Sequence, residues 1–338
     1  MTMPAAIFRC DASHETGFGH LVRCMALAEE LAAIGFNITF VMREGPVGAG
    51  MAREKGYRVE LAPKGADCGE WLCMAAEDAD AVVFDTRDES GAACIDELRK
   101  RGSLIVDIDD PGDKRLRSDL AFYPPVPAAM RLGWEGFKGE LQIGWDWVVL
   151  RREFAQRDLL FRPGQVQRIL VTMGGSDPAG LTLRAVSDLR KIERDFEAVL
   201  ALGPGFKGRD ELEKRIDSRF RIECSPGDIG YLMKRTDLAI ASFGVTAYEL
   251  AALGVPAVFY GVSPAHAEAA DFFETAGMAA SLGFYERVPV EAASLRIRSL
   301  LENPMLLSKM RASAIGLIDG RGAQRIAALI AQRLGSRP

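Results

Sequence analysis

Two of the chain's three histidines lie in one short stretch, Asp11 to Arg23 (DASHETGFGHLVR). An imidazole titrates near neutral pH, so His14 and His20 are the first candidates for moving a proton in a reaction. The apolar run Ala5 to Cys10 precedes the stretch, and Leu21, Met25, Ala28 and Leu31 recur at helical spacing after it. It is therefore a loop between a buried strand and an amphipathic helix. Gly17 and Gly19 let the backbone approach a ligand, and the helix aims free N–H groups and its positive dipole end at that point. His20, at the first turn, meets a dipole that favours the neutral ring, as a general base requires. It could equally cap the helix or pack behind the loop. His14 reads as a solvated loop residue. A dinucleotide fingerprint would need a third glycine where Val22 stands, so a nicotinamide cofactor is not expected.

The second half carries two further loops of small residues. Gly174-Gly175-Ser176-Asp177 follows an apolar strand, and Ser242-Phe243-Gly244-Val245-Thr246 precedes a helix. Open backbone N–H groups and the hydroxyls of Ser176, Ser242 and Thr246 have the composition of anion cradles; each loop could also be an ordinary tight connection. Neither contains the P-loop pattern. Glu249, one turn into the second helix among Ala and Leu, could accept from a ribose diol or could be an exposed helix residue. His266, with Ser263 and Pro264, follows the strand 257–260 and could line the same pocket or be structural.

The elements that must position these residues alternate strictly. Short apolar strands at 5–10, 36–42, 57–61, 79–84, 104–106 and 120–123 are separated by helical patterns. The pattern restarts at 168–172, 196–202, 220–222, 237–241 and 257–260, and three helical segments follow from about Val290. Such alternation predicts α/β units with parallel sheets, which bind ligands at the carboxyl ends of their strands. Those ends carry Asp11, Asp85, Asp109 and Asp110, although acids there also serve as helix caps. The irregular segment 124–165 reads as a link, with Arg162-Pro163-Gly164 as the boundary between domains 1–163 and 164–338. Two similar halves predict two nucleotide-binding-type domains facing across a cleft.

With 338 residues the chain can bury two cores, and at net charge −5 with no long basic run it does not suit duplex nucleic acid. No membrane span or signal peptide is evident, so the cytoplasm is the expected compartment. The six cysteines form no CxxC pair and read mostly as small core residues, which leaves no zinc site to expect.

Four motifs in this order resemble the PseG/SpsG family. They are D-x-S-x-x-x-G-x-G-H-x-x-R (Asp11, Ser13, Gly17, Gly19, His20, Arg23), LRREF at 150–154, MGGSD at 173–177, and the segment Ala241–Pro256. The last is shared more loosely with the peptidoglycan N-acetylglucosaminyltransferase. The resemblance implies the GT-B fold and a UDP-sugar hydrolase of pseudaminic acid biosynthesis, a nonulosonic acid pathway serving surface polysaccharide and flagellin glycosylation. The implied substrate resembles UDP-2,4-diacetamido-2,4,6-trideoxy-beta-L-altropyranose. It implies His20 as the base acting on water and inverting cleavage of the C–O bond to UDP. Asp11, Ser13, Gly17, Gly19 and Arg23 would line the sugar side. Gly174, Gly175, Ser176, Ser242, Phe243, Gly244, Thr246, Glu249 and His266 would line the UDP side, with Glu249 on ribose and the 242–246 loop on the diphosphate. It implies no metal, no cofactor and no obligate protein partner. The D-x-D spacing of Asp107-Ile108-Asp109 lies in the half away from the phosphate loops. Where the family carries an Asn-Gln pair, this chain has Pro264-Ala265-His266. A glycosyltransferase of the same fold and a non-catalytic nucleotide-sugar-binding protein are the alternatives.

Overall fold

The computed structural model describes residues 3–336 apart from 13–17, 44–45, 64–65, 67, 88–91, 157–167, 227 and 290. Strands with no polar face dominate it. β1 (Ala5–Cys10), β2 (Asn37–Arg43), β3 (Arg58–Ala62), β4 (Ala81–Asp85), β5 (Leu104–Ile108), β6 (Leu120–Tyr123) and β7 (Glu140–Ile143) form one parallel sheet, ordered β3-β2-β1-β4-β5-β6-β7. β4 and β5 are buried at every residue, because parallel strands carry helices on both faces. Phe8, Val83 and Val106 pack on one face with Leu21 and Leu27 of the helix Gly19–Ala33. Ile7, Val82, Phe84 and Ile105 pack on the other with Leu72 and Leu98.

The second sheet repeats the plan. β8 (Arg168–Thr172), β9 (Glu197–Leu202), β10 (Phe220–Cys224), β11 (Leu238–Ser242), β12 (Ala257–Gly261) and β13 (Ala279–Phe284) run parallel in the order β10-β9-β8-β11-β12-β13. Its core joins Val171, Leu200, Ile240 and Val258 to Ala185 and Leu189 of the helix Leu181–Arg190.

The chain divides into two compact units, and the division differs from the expected 1–163 and 164–338. Unit 1 is Met1–Pro125, Ala129–Arg152 and Arg321–Pro338; unit 2 is Val126–Ala128 and Glu153–Gly320. The boundary expected at Arg162-Pro163-Gly164 lies outside the described residues. The last helix, Gly322–Gly335, belongs to the first unit: Ala323, Ile326, Ala327 and Ile330, spaced as one helix face, complete the core that contains Phe8 and Leu27. Its Gly322 sits against the Val148 backbone, where a Cβ has no room. Within the LRREF motif the chain passes from the first unit to the second. Leu150 is buried, Arg152 makes a two-bond fork to Glu30 at 3.0 and 2.8 Å, and Phe154 is buried in the second unit. Elements not expected from sequence include β7, β13 and the helix Pro264–Thr275 between β12 and β13. Among the described residues no helix is long and apolar enough to cross a membrane.

Candidate functional site

In the first unit β1, β4 and β5 are neighbours, so the residues at their carboxyl ends come together above the sheet. His20 and Arg23, three apart on the first turns of the helix Gly19–Ala33, share one face and reach down to them. His20 Nδ1 lies 2.6 Å from Asp85 Oδ1. Arg23 donates to Asp85 twice, from Nε at 2.8 Å and Nη2 at 2.6 Å, and to Asp109 from Nη1 at 2.8 Å. Cys24 Sγ, also beneath His20, donates to Asp85 Oδ2 at 3.7 Å.

The Asp85 carboxylate is 1% exposed and both its oxygens are occupied. Burial opposes its ionisation, but the Arg23 guanidinium and His20 outweigh that and hold it well below the usual carboxylate range. An ionised Asp85 has no proton to give, so the short contact requires the proton on His20 Nδ1. In the neutral ring Nε2 then carries the lone pair and is the basic atom. Burial, with Cys10 alongside, pushes the Cys24 thiol well up, which keeps it a donor. Of the two alternatives to a base at His20, capping receives no support: the helix start at Phe18 has no side-chain cap.

Several residues expected to line this site have other partners. Asp11 binds the buried Arg9 at 2.7 and 2.8 Å and accepts from the Arg43 backbone at 2.8 Å, clamping the ends of β1 and β2. Arg23 holds two acids of its own chain. Gly19 opens the helix, and Ser13 and Gly17, with His14, lie outside the described residues. Asp85 and Asp109, marked in the sequence only as acids at the ligand-binding ends of apolar strands or as helix caps, are given their role by His20 and Arg23. The D-x-D spacing does not make a pair, because Asp109 joins Arg23 while Asp107 points to the opposite face, toward Tyr123. Among the described residues no three His, Cys, Asp or Glu side chains are grouped as metal ligands.

Beneath that edge lies a buried polar cluster. Lys114 Nζ sits 2.9 Å from Asp110 and donates to Thr86 at 2.7 Å. Tyr123 Oη is 2.8 Å from Asp107 Oδ1 and 2.7 Å from the Asp110 carbonyl, two acceptors for one phenolic proton. A protonated Asp107 resolves the count: its O–H donates to Tyr123, whose own O–H donates to the carbonyl. The electrostatics agree, since burial and then Asp110 push the Asp107 carboxyl well up. Between the ordinary carboxylate range and that raised value, the folded chain holds a proton the unfolded chain has lost. Stability therefore falls as pH rises through this window. Asp107→Asn keeps a donor and removes the titration, so its stability gain over the parent should grow with pH when urea unfolding is compared from pH 5 to 8. A difference that stays constant across that range, or shrinks, contradicts a protonated Asp107.

In the second unit β8, β11 and β12 are neighbours, and three helices start at their carboxyl edge. Two of these starts are already closed. Asp177, at φ 46°, accepts from the Leu181 and Thr182 backbone N–H groups at 2.8 Å each, so the MGGSD turn supplies its own anion to the helix. Ser263 accepts from His266 N at 3.2 Å and caps the helix Pro264–Thr275. The helix Val245–Leu253 alone of the three begins without a side-chain cap, at the extended Gly244. Its first N–H groups are the ones placed to meet an anion. Ser242 and Thr246 are half-buried beside that start, and Glu249 is buried at 5% exposure, which removes the exposed-residue reading.

Gly174, at φ 79°, brings its backbone beside Ser242, while Gly175 packs directly against Gly203, which has no room for a Cβ. Ser176 is half-buried in the same turn. The Phe243 ring is 4% exposed and lies edge-on to Phe259 and Phe273 at 5.5 and 5.0 Å, so it is core and only its backbone is at the edge. The His266 ring, 6.3 Å from Phe243, lies at the margin of that aromatic cluster.

No protein-family model matches the chain. It is 24% identical over 337 residues to the spore coat polysaccharide biosynthesis protein SpsG of Bacillus subtilis, covering 97% of this chain and 98% of that protein. It is 25% identical over 243 residues to the UDP-2,4-diacetamido-2,4,6-trideoxy-beta-L-altropyranose hydrolase of Campylobacter jejuni, covering 70% and 84%. The uncharacterized protein MJ1062 of Methanocaldococcus jannaschii is 29% identical over 264 residues, 73% of this chain; the chain spans about half of that relative's length (54%). Among solved structures, Acinetobacter baumannii MurG superposes with a TM-score of 0.69 at 16% identity over 97% of this chain and 99% of that one. The S. aureus MnaA–UDP co-structure superposes at 0.68 with 14% identity over 98% and 97%. The two parallel sheets and these likenesses establish two Rossmann-like units of the GT-B fold.

Proposed function

We propose that the protein is a UDP-sugar hydrolase in which the first unit supplies the base and the second holds the nucleotide. The observation that carries this reading is the tautomer fixed by Asp85, which leaves His20 Nε2 basic and outward from the carboxylate. In the proposed reaction a water oxygen attacks the anomeric carbon as its proton passes to Nε2. The C–O bond to the diphosphate breaks with inversion, and its electron pair stays on the diphosphate oxygen. The uncapped start of the helix Val245–Leu253 favours that developing charge, with Ser242 and Thr246 as added donors. Glu249 accepts from the ribose hydroxyls. The likeness to the Campylobacter jejuni hydrolase supports a 2,4-diacetamido-2,4,6-trideoxy sugar as the substrate class, and the likeness to SpsG supports a place in polysaccharide synthesis.

The test is incubation with the UDP-diacetamido-trideoxy sugar alone, followed by NMR. Release of UDP and the free, inverted sugar is expected. Release only when an acceptor sugar is added would make the protein a transferase, and binding without any release would make it a nucleotide-sugar-binding protein. Glu249→Ala should weaken UDP binding by about 1–3 kcal/mol in calorimetry, the range for losing partners to a buried charged acceptor. Unchanged affinity would move the ribose contact elsewhere.

A further inference from the structure

Asp109 stands out on three counts. It is a non-glycine residue at φ 57°, a left-handed conformation that an aspartate adopts at modest cost. Its carboxylate reaches across to Arg23 Nη1 at 2.8 Å. Its turn is fixed from below: Asp109 N donates to Phe122 O at 3.0 Å, Asp110 Oδ1 accepts from Gly112 N at 2.8 Å, and Lys114 joins Asp110 to Thr86, the residue after Asp85. The ends of β4 and β5 are thus tied twice, through Arg23 on one face and Lys114 on the other.

We infer that Asp109 is a positioning residue for the reaction. It pins the third guanidinium nitrogen, so that the other two present a fixed fork to Asp85, and Asp85 in turn fixes the His20 ring. Arg23 acts as the lever between the two acids. Without Asp109 the fork is free to turn about its own bonds, and the short Asp85–His20 contact loses its rigid support. The inference rests on His20 being the base.

Three substitutions separate the carboxylate from the backbone. Asp109→Gly accepts the left-handed turn but removes the carboxylate. Asp109→Asn tolerates the same turn and keeps an oxygen for Arg23. Asp109→Ala loses both. The expected result is a kcat about 10- to 100-fold lower for Asp109→Gly, with KM and thermal midpoint near the parent values, and recovery of most of that loss in Asp109→Asn. Asp109→Ala should lose both activity and stability. A fully active Asp109→Gly would overturn the inference by showing the carboxylate idle. A second readout does not need turnover: the His20 Nδ1 proton, held on Asp85 at 2.6 Å and expected as a downfield NMR signal in the parent, should persist in Asp109→Asn and broaden away in Asp109→Gly. If the parent hydrolyses nothing but that pattern holds, the proposed reaction fails, and with it the catalytic role, while the hold of Asp109 on the His20 ring through Arg23 and Asp85 stands. An Nδ1 signal unchanged in all three variants defeats the role itself.

Discussion

His20→Ala should lower hydrolysis of the UDP-sugar by about 100- to 10,000-fold, the range for removing a positioned general base, while UDP affinity stays within a few-fold of the parent. The reasoning is local. His20 touches Asp85 and Arg23 in the first unit, whereas the uncapped helix start, Ser242, Thr246 and Glu249 are all in the second. Removing the imidazole leaves Asp85 with three donors from Arg23 and Cys24, so the buried carboxylate remains satisfied and the fold should survive. Initial-rate kinetics paired with UDP calorimetry measure both halves of the statement. A collapse of UDP binding would make His20 a ligand or a structural residue, and undiminished turnover would place the base elsewhere.

The second large effect is on stability. Lys114→Met should destabilise the first unit by about 3–5 kcal/mol, because Asp110 would be left buried beside a neutral side chain. Lys114 and Asp110 are each 1% exposed at the pair, and Lys114 also donates to Thr86 and lies 5.6 Å from the Phe84 ring centroid. Adding Asp110→Asn to Lys114→Met should recover much of the loss, since no uncompensated charge then remains inside. Denaturant unfolding of the parent, the single variant and the double variant reads this directly. A single-variant loss under about 1 kcal/mol would mean that water reaches Asp110 and the pair is not buried as described.

Much of the architecture was legible because parallel strands covered on both faces are written as unbroken apolar runs, as in AVVF of β4. β7 was not: its four residues are all half-buried, and ELQI carries neither alternation nor an apolar run. The helix Gly322–Gly335 was recognisable as a helix, but nothing in its sequence says which sheet its apolar face meets. His20 and the loop before Val245 could be picked out from residue type and spacing. Their partners could not. Whether Asp85 caps a helix or holds an imidazole depends on what a helix far away in sequence lays over it, and that is a tertiary fact. MGGSD shows a related limit: its composition suits an anion, and residue type alone does not say that its own Asp177 carboxylate meets the helix start there.

The return of Gly322–Gly335 to the first unit also sets an order of assembly. A chain emerging from the ribosome normally completes its early domain first. Here the layer that closes the core around Phe8 and Leu27 is made of residues that follow the second unit in the chain, so the unit bearing His20 is finished only after the residues of that second unit have been made. The intervening unit can fold while its predecessor still exposes the face that Ile326 and Ile330 will cover.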